Sequence, residues 1–266
     1  MSNALELVSY ATLAEQVDAM QRDGYVYVPG FLGADEIAEL RRMSRQLEPI
    51  AENLDINLTL EKDGHVQKCI NTVFNRDPLF LKYSDKPGVI ELAEAVHGSD
   101  CHMMQMHNWL VGPGRPDQQL HADYQPYNLP ADILADPRVR MPIYITTAHA
   151  YLVDMTEELG PTKLIPGSHL SGRKPNKGET TWNGAKERSF LGKAGDCIFF
   201  RSEIWHRGSA NRTQEMRNTF MVHYANRMVT QKFPPYLSFK FNPAVVAAAT
   251  PRQRRLLGEH PSDSYV

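Results

Sequence analysis

The residues that most directly suggest chemistry are His121-Ala122-Asp123 and, 83 residues after Asp123, His206. On an extended segment side chains alternate, so His121 and Asp123 project to the same face. A histidine arriving from a later strand would complete two imidazoles and one carboxylate on one side of a metal. Such a facial set suits Fe(II) and leaves the opposite positions open for a cosubstrate and O₂. The chemistry expected of it is oxidation. A His-x-Asp pair among ten histidines is weak evidence, and a surface histidine beside a turn aspartate is the competing reading. Three neighbouring features weigh against that reading. Gln119 lies two residues earlier, on the same face of an extended strand. Gly195-Asp196 leads into the apolar run Cys197–Phe200 and on toward Trp205-His206. Arg217 follows His206 by 11 residues, with Asn211 between them.

An iron site of this kind needs an electron source. A 2-oxo acid chelates the metal through its carboxylate and keto oxygen, and a distal carboxylate must then be anchored. Arginine does this through two parallel, charge-assisted hydrogen bonds. Arg207, Arg212 and Arg217 compete for that task. On an extended segment Arg217, Thr219, Met221 and His223 share one face.

Elements must exist to place these residues. Residues 12–23 set Leu13, Val17 and Met20 at helical spacing before Gly24, and Tyr25–Val28 reads as a strand stopped by Pro29-Gly30. Residues 34–48 and 88–97 carry helical patterns. From about residue 100 the texture changes to short apolar or alternating runs at 102–111, 119–124, 143–153, 162–166, 195–201 and 216–225. Many short strands at such spacing predict a sandwich or barrel, and a double-sheet jelly roll carries a site between its sheets. Residues 171–190, polar and rich in Lys and Gly, predict a long surface loop, and a short helix is expected near 244–257.

At 266 residues the chain suffices for one large domain, and 42% hydrophobic with 23% charged residues is ordinary for a globular protein. Lys+Arg 29 against Asp+Glu 31 gives a formal charge of −2, which points to no nucleic-acid partner and no polybasic membrane anchor. The start MSNALELVSY lacks the pattern of a secretory signal, and no apolar run approaches the roughly 18 residues a membrane span needs. Cys69, Cys101 and Cys197 form no CxxC pair. A cytoplasmic protein with reduced thiols is expected.

Along most of its length the chain resembles the phytanoyl-CoA dioxygenase (PhyH)-like family of Fe(II)/2-oxoglutarate-dependent oxygenases. The resemblance rests on Asp23–Leu32, Gln119-x-His121-x-Asp123, Gly160-Pro161-Thr162 running to Pro166-Gly167-Ser168-His169, Gly195-Asp196, Trp205-His206, Asn211 and Arg217. It implies a double-stranded β-helix (jelly-roll, cupin-like) core with flanking helices. It also implies iron on His121, Asp123 and His206, 2-oxoglutarate anchored by Arg217, and Gln119 and Thr162 as further cosubstrate contacts. A single oxygenase domain is expected, with a helical part over about 1–100, the jelly roll over about 100–230 and a tail over 231–266.

The sequence departs from the family at Leu159, where many members carry Asn. Asp123 is retained, whereas halogenating relatives replace it, so hydroxylation or desaturation is favoured. His169 belongs to a structural turn, and His149 and His223 read as core or supporting histidines. Gln105, His107 and Trp109 share a strand face that could line a pocket, alongside Tyr124, Tyr127, Phe74 and Met106. The substrate expected is a small organic molecule, a specialised metabolite rather than an acyl-CoA, although the basic residues of the 171–190 loop leave the latter open. A zinc-dependent cupin-type hydrolase or isomerase is the rival enzyme class.

Overall fold

Helix α1 (Leu13–Arg22) starts at Thr12, whose hydroxyl accepts from the Glu15 amide (3.2 Å) while the Glu15 carboxylate accepts from the Thr12 amide (2.9 Å). This capping box satisfies two amide donors that the first turn leaves over. Strand β1 (Tyr25–Val28) and helix α2 (Ala34–Gln46) follow. The computed structural model describes residues 3–47, 58–62, 65–125, 129–136, 138–233 and 239–260. Within them come β2 (Leu58–Lys62), β3 (His65–Ile70), α3 (Ile90–His97), β4 (His102–Val111), α4 (Ala131–Ala135), β5 (Ile145–Tyr151) and β6 (Thr162–Leu164). Then follow β7 (Thr181–Trp182), β8 (Ala185–Lys186), β9 (Arg188–Ser189), β10 (Cys197–Arg201), β11 (His206–Gly208), β12 (Arg217–Ala225), α5 (Pro243–Ala248) and α6 (Pro251–Leu256).

The strands form a seven-stranded antiparallel sheet in the order β1-β10-β5-β12-β4-β3-β2, faced by a smaller sheet, β11-β6-β9. This is the expected jelly-roll core. Both faces of the large sheet are covered, so every residue of β12 is buried, yet the strand still alternates. Phe220, Val222 and Tyr224 enter the apolar core under the helices, where Phe220 stacks on Phe80 (6.2 Å) and meets Tyr83 edge-on (5.2 Å). Arg217, Thr219, Met221 and His223 face the opposite way, into a cavity between the sheets. One strand thus presents oil to the helices and chemistry to the interior.

Three expectations change. The 119–124 run is no strand and touches the small sheet through one antiparallel bridge, His121 to His206. The 171–190 stretch is no bare loop. It carries the β7–β8 hairpin and β9, with the Arg173 guanidinium bridging Glu179 (2.7 Å) and lying over the rings of Trp205 (4.8 Å) and Trp182 (5.7 Å). The tail helix near 244–257 is split in two at Thr250, which caps α6. The β2–β3 pair, which lengthens the large sheet beyond β4, has no counterpart in the sequence reading. No helix among the described residues is long and apolar enough to cross a membrane.

His97, at the end of α3, ties that helix to the sheet. It is buried, with its ring nitrogens 2.8 Å from the Ile143 carbonyl and 2.8 Å from the Thr146 hydroxyl. Burial pushes its pKa down to about 4. A folded-state value below the unfolded one means that stability is complete above about pH 6.5 and is lost as the pH falls toward 4. This residue alone should remove roughly 3 kcal/mol across that window. Urea unfolding at pH 7 and pH 4.5 should show the decline, to which the other buried histidines also contribute, and His97→Gln should make it measurably smaller. An equal decline in both proteins would contradict the assignment.

Candidate metal centre

The chain leaving β4 runs back along the small sheet and is stitched to it by backbone. The Gln118 amide donates to the Gly208 carbonyl (2.9 Å), His121 and His206 exchange amide-to-carbonyl bonds (3.0 and 2.8 Å), and the Asp123 amide donates to the Ser202 carbonyl (3.0 Å). Ala122 points away, into a cluster with Ile165 and Trp205. The alternation that places His121 and Asp123 on one face therefore holds without a strand, because two backbone anchors fix the pleat.

His121, Asp123 and His206 converge so that one ligand atom from each lies within 4.8 Å of the others, the one such group of His, Cys, Asp or Glu among the described residues. The His121 Nε2 is 3.4 Å from one Asp123 oxygen, and the His206 Nε2 is 3.7 Å from the other. The tautomers follow from the partners of the remaining nitrogens. His121 Nδ1 lies 2.8 Å from the Gln119 carbonyl and His206 Nδ1 lies 3.0 Å from the Ile204 carbonyl. A carbonyl only accepts, so each Nδ1 carries the proton and each Nε2 keeps its lone pair for a metal. Burial works to raise the Asp123 carboxyl, but the imidazoles of His206 and His121 outweigh it and hold the group well below the usual carboxylate range. Two neutral nitrogens and one carboxylate suit Fe(II) as a donor set.

The cavity beside this group measures about 440 Å³. Arg217, Thr162, Gln118 and Gly208 are among the residues that line it. Arg217 is 6% exposed, donates to the Gly160 carbonyl, leaves its Nε without a partner, and makes no ion pair among the described residues. Burial lowers its pKa to about 10, which keeps it charged at neutral pH. An uncompensated buried guanidinium is costly, and an anionic ligand removes that cost. Arg207 is committed to Glu187 (2.6 Å) and Asp117 (2.5 Å), and Arg212 is exposed. The carbonyl that receives Arg217 belongs to a glycine with φ +83°, where a Cβ would lie 2.5 Å from the Ser209 carbonyl oxygen. Thr162 accepts from the Tyr151 hydroxyl (2.6 Å), and Tyr151 stacks on His149 (4.7 Å between ring centroids).

Gln119 requires a correction. Its side chain is exposed and does not line the cavity, while Gln118 does, and the Gln118 Oε1 accepts from the Gly208 amide (2.8 Å). Residues 117–120 form no strand, so a period of two cannot be extended back from His121. His107 and Trp109 line the cavity as the strand face suggested, but Gln105 turns its oxygen to the amides of Thr72 (3.1 Å) and Met106 (2.9 Å). Tyr124 is at the cavity, Phe74 and Met106 lie in the core under the helices, and Tyr127 lies outside the described residues. His149 and His223 are cavity-wall residues. The 171–190 lysines do not line it. His169 pairs with the Gln21 carbonyl (3.0 Å), away from the metal group. Tyr151, Thr147, Gly208 and Lys232 were not singled out in the sequence. The first three lie on the same strand faces as His149 and His206, which is the signal that would have found them.

The family model for phytanoyl-CoA dioxygenase (PhyH) matches residues 20–219. A relative called dioxygenase trt7, from Aspergillus terreus, is 27% identical over 92% of this chain and 84% of its own length. Among solved structures, the epimerase SnoN in complex with Fe³⁺, alpha ketoglutarate and nogalamycin RO superposes with a TM-score of 0.63 at 23% identity, covering 81% of this chain and 84% of that one. EctD from S. alaskensis with bound Fe gives 0.64 at 19% identity, covering 92% and 91%. Sequence match and site geometry meet in one conclusion: the chain belongs to the phytanoyl-CoA dioxygenase (PhyH) family of non-haem Fe(II)/2-oxoglutarate-dependent dioxygenases.

Proposed function

We propose that this chain, acting as one cytoplasmic oxygenase domain, hydroxylates an unactivated C–H bond of a compact small molecule of specialised metabolism. His121, Asp123 and His206 hold Fe(II), and Arg217 binds the distal carboxylate of 2-oxoglutarate with Thr162 and Gln118 beside it. The observation that carries this reading is the buried, unpaired Arg217 in the wall of the cavity that also holds the metal group. Bound Fe(II), with 2-oxoglutarate and O₂, supplies an oxidative decarboxylation to succinate and CO₂ and the oxidising power to break a strong C–H bond. The protein's residues do the rest. Carbonyl partners on both Nδ1 atoms hold the imidazoles in register. A carboxylate at position 123 fills the coordination site that halogenating relatives leave open, which favours oxygen insertion.

The cavity wall favours a compact, oxygenated substrate over an acyl chain. Burial keeps His149 and His223 well below the usual imidazole value and His107 at about 4, so all three are neutral. One ring nitrogen of each of these three residues and the Trp109 Nε1 have no partner among the described residues. Unpaired buried groups cost about 1–3 kcal/mol each, so a ligand with hydroxyl or carbonyl groups is better matched here than hydrocarbon.

Anaerobic addition of Fe(II) and 2-oxoglutarate should produce a weak visible charge-transfer band, together with a rise in melting temperature that a chelator reverses. His206→Ala and Asp123→Ala should lose both signals. A band of unchanged strength in Asp123→Ala would sink the ligand assignment, and preferential binding of zinc with no band in the wild type would favour a hydrolase. Arg217→Gln should weaken 2-oxoglutarate binding by about tenfold to a hundredfold, the value of a charge-assisted hydrogen bond. Arg217→Lys should recover part of the loss. Unchanged 2-oxoglutarate affinity in Arg217→Gln would remove Arg217 from the site.

A further inference from the structure

Arg115 lies in the turn after β4, outside every motif that identifies the family. It is 4% exposed, and like Arg217 it forms no ion pair among the described residues. Its Nε donates to the Gln67 side-chain oxygen (3.1 Å) and one terminal nitrogen donates to the Gly208 carbonyl (3.1 Å). Asp117, the nearby carboxylate, is engaged by Arg207 (2.5 Å) and by the Ala210 amide (2.9 Å).

Gly208 is where these groups meet. A Cβ on this residue would stand 3.0 Å from an Arg115 terminal nitrogen, 3.0 Å from the Gln118 Oε1 and 3.3 Å from an Arg217 terminal nitrogen. Two buried guanidinium groups therefore flank one glycine with neutral amide oxygens as their nearest partners. Like charges at this separation repel, and burial removes the water that would screen them. The arrangement is unfavourable alone and becomes favourable when an anion arrives.

We infer that Arg115 is a positioning residue for the cosubstrate: from behind Gly208 it supplies a second positive charge to the end of the cavity where Arg217 receives the distal carboxylate. The inference rests on the proposed use of 2-oxoglutarate. Arg217 touches the ligand, while Arg115 acts through the Gly208 backbone that it holds and through its field. It thus favours 2-oxo acids with a second carboxylate over those without one. Gly208 has a reason to lack a side chain, since any Cβ would press on both arginines and on Gln118.

The test is anaerobic titration of the Fe(II)-loaded protein, by charge-transfer absorption and by calorimetry, with 2-oxoglutarate and with pyruvate, which has no distal carboxylate. Arg115→Gln should weaken 2-oxoglutarate by about tenfold or more, the order expected for a partly screened charge at this range, and leave pyruvate unchanged. Arg115→Lys, which keeps the charge, should restore most of the affinity. If Arg115→Gln fails to fold, Gly208→Ala should show the same selective loss. Wild-type affinity for 2-oxoglutarate in Arg115→Gln, or equal weakening of both acids, would overturn the inference. A wild-type protein that binds neither acid would overturn the dioxygenase reading itself, and this inference with it.

Discussion

The site depends on one reciprocal backbone contact. His121 and His206 exchange amide-to-carbonyl hydrogen bonds, and this pair joins a segment outside any strand to a three-residue strand. Everything the metal group needs follows from it. The bridge sets the two rings 4.5 Å apart, and the Asp123–Ser202 bond two residues on turns the carboxylate toward them. Each ring is then fixed in its tautomer by a carbonyl from its own neighbourhood, Gln119 for one and Ile204 for the other. Side-chain chemistry here is positioned almost wholly by main-chain bonds, which are short and directional and carry little rotamer entropy.

The large sheet supplies the opposite wall under a different constraint. With helices on one side and the small sheet on the other, β12 has no face left for solvent. A strand buried on both faces ordinarily reads as a continuous apolar run. This one interleaves Phe220, Val222 and Tyr224 with Arg217, Thr219 and His223, so its polar residues lie inside the protein. The pattern is affordable because the interior face is a cavity, where polar groups meet ligand or one another, as in the Thr147–His223 pair (2.9 Å).

That interleaving explains what could be read from the chain alone. β4 spans 102–111 as expected, and β12 differs from its expected range by one residue, because alternation over nine or ten residues leaves one register. His121, Asp123 and His206 were legible as a set, and Arg217 was favoured over Arg207 and Arg212 by the family resemblance, a choice that its burial and its lack of an ion pair among the described residues support. Gln118 and Gln119 are neighbours of identical type, and the one that enters the cavity is the one whose side-chain oxygen accepts from the Gly208 amide, 90 residues away. The β2–β3 pair and the β7–β8 hairpin were missed for a related reason. Their strands are short or polar and owe their existence to partners, not to local propensity. Several family motif residues support the architecture and carry no chemistry. Asp196 accepts from Tyr27, Gly30 and Lys193, and Asn211 holds the turn ahead of Arg217.

The same bridge has a consequence in polymer terms. Asp123 and His206 are separated by 83 residues, so a metal shared between them closes a long loop. Bringing the ends of such a loop together costs a flexible chain about 4 kcal/mol of entropy, a sum that grows only slowly with length. The backbone bridge has already met most of that cost before any ion arrives. The ion therefore acts as a cross-link on a closed ring, and the chain between its two attachment points, including the Trp-stacked 171–190 excursion, is free to vary in length at little expense to the centre.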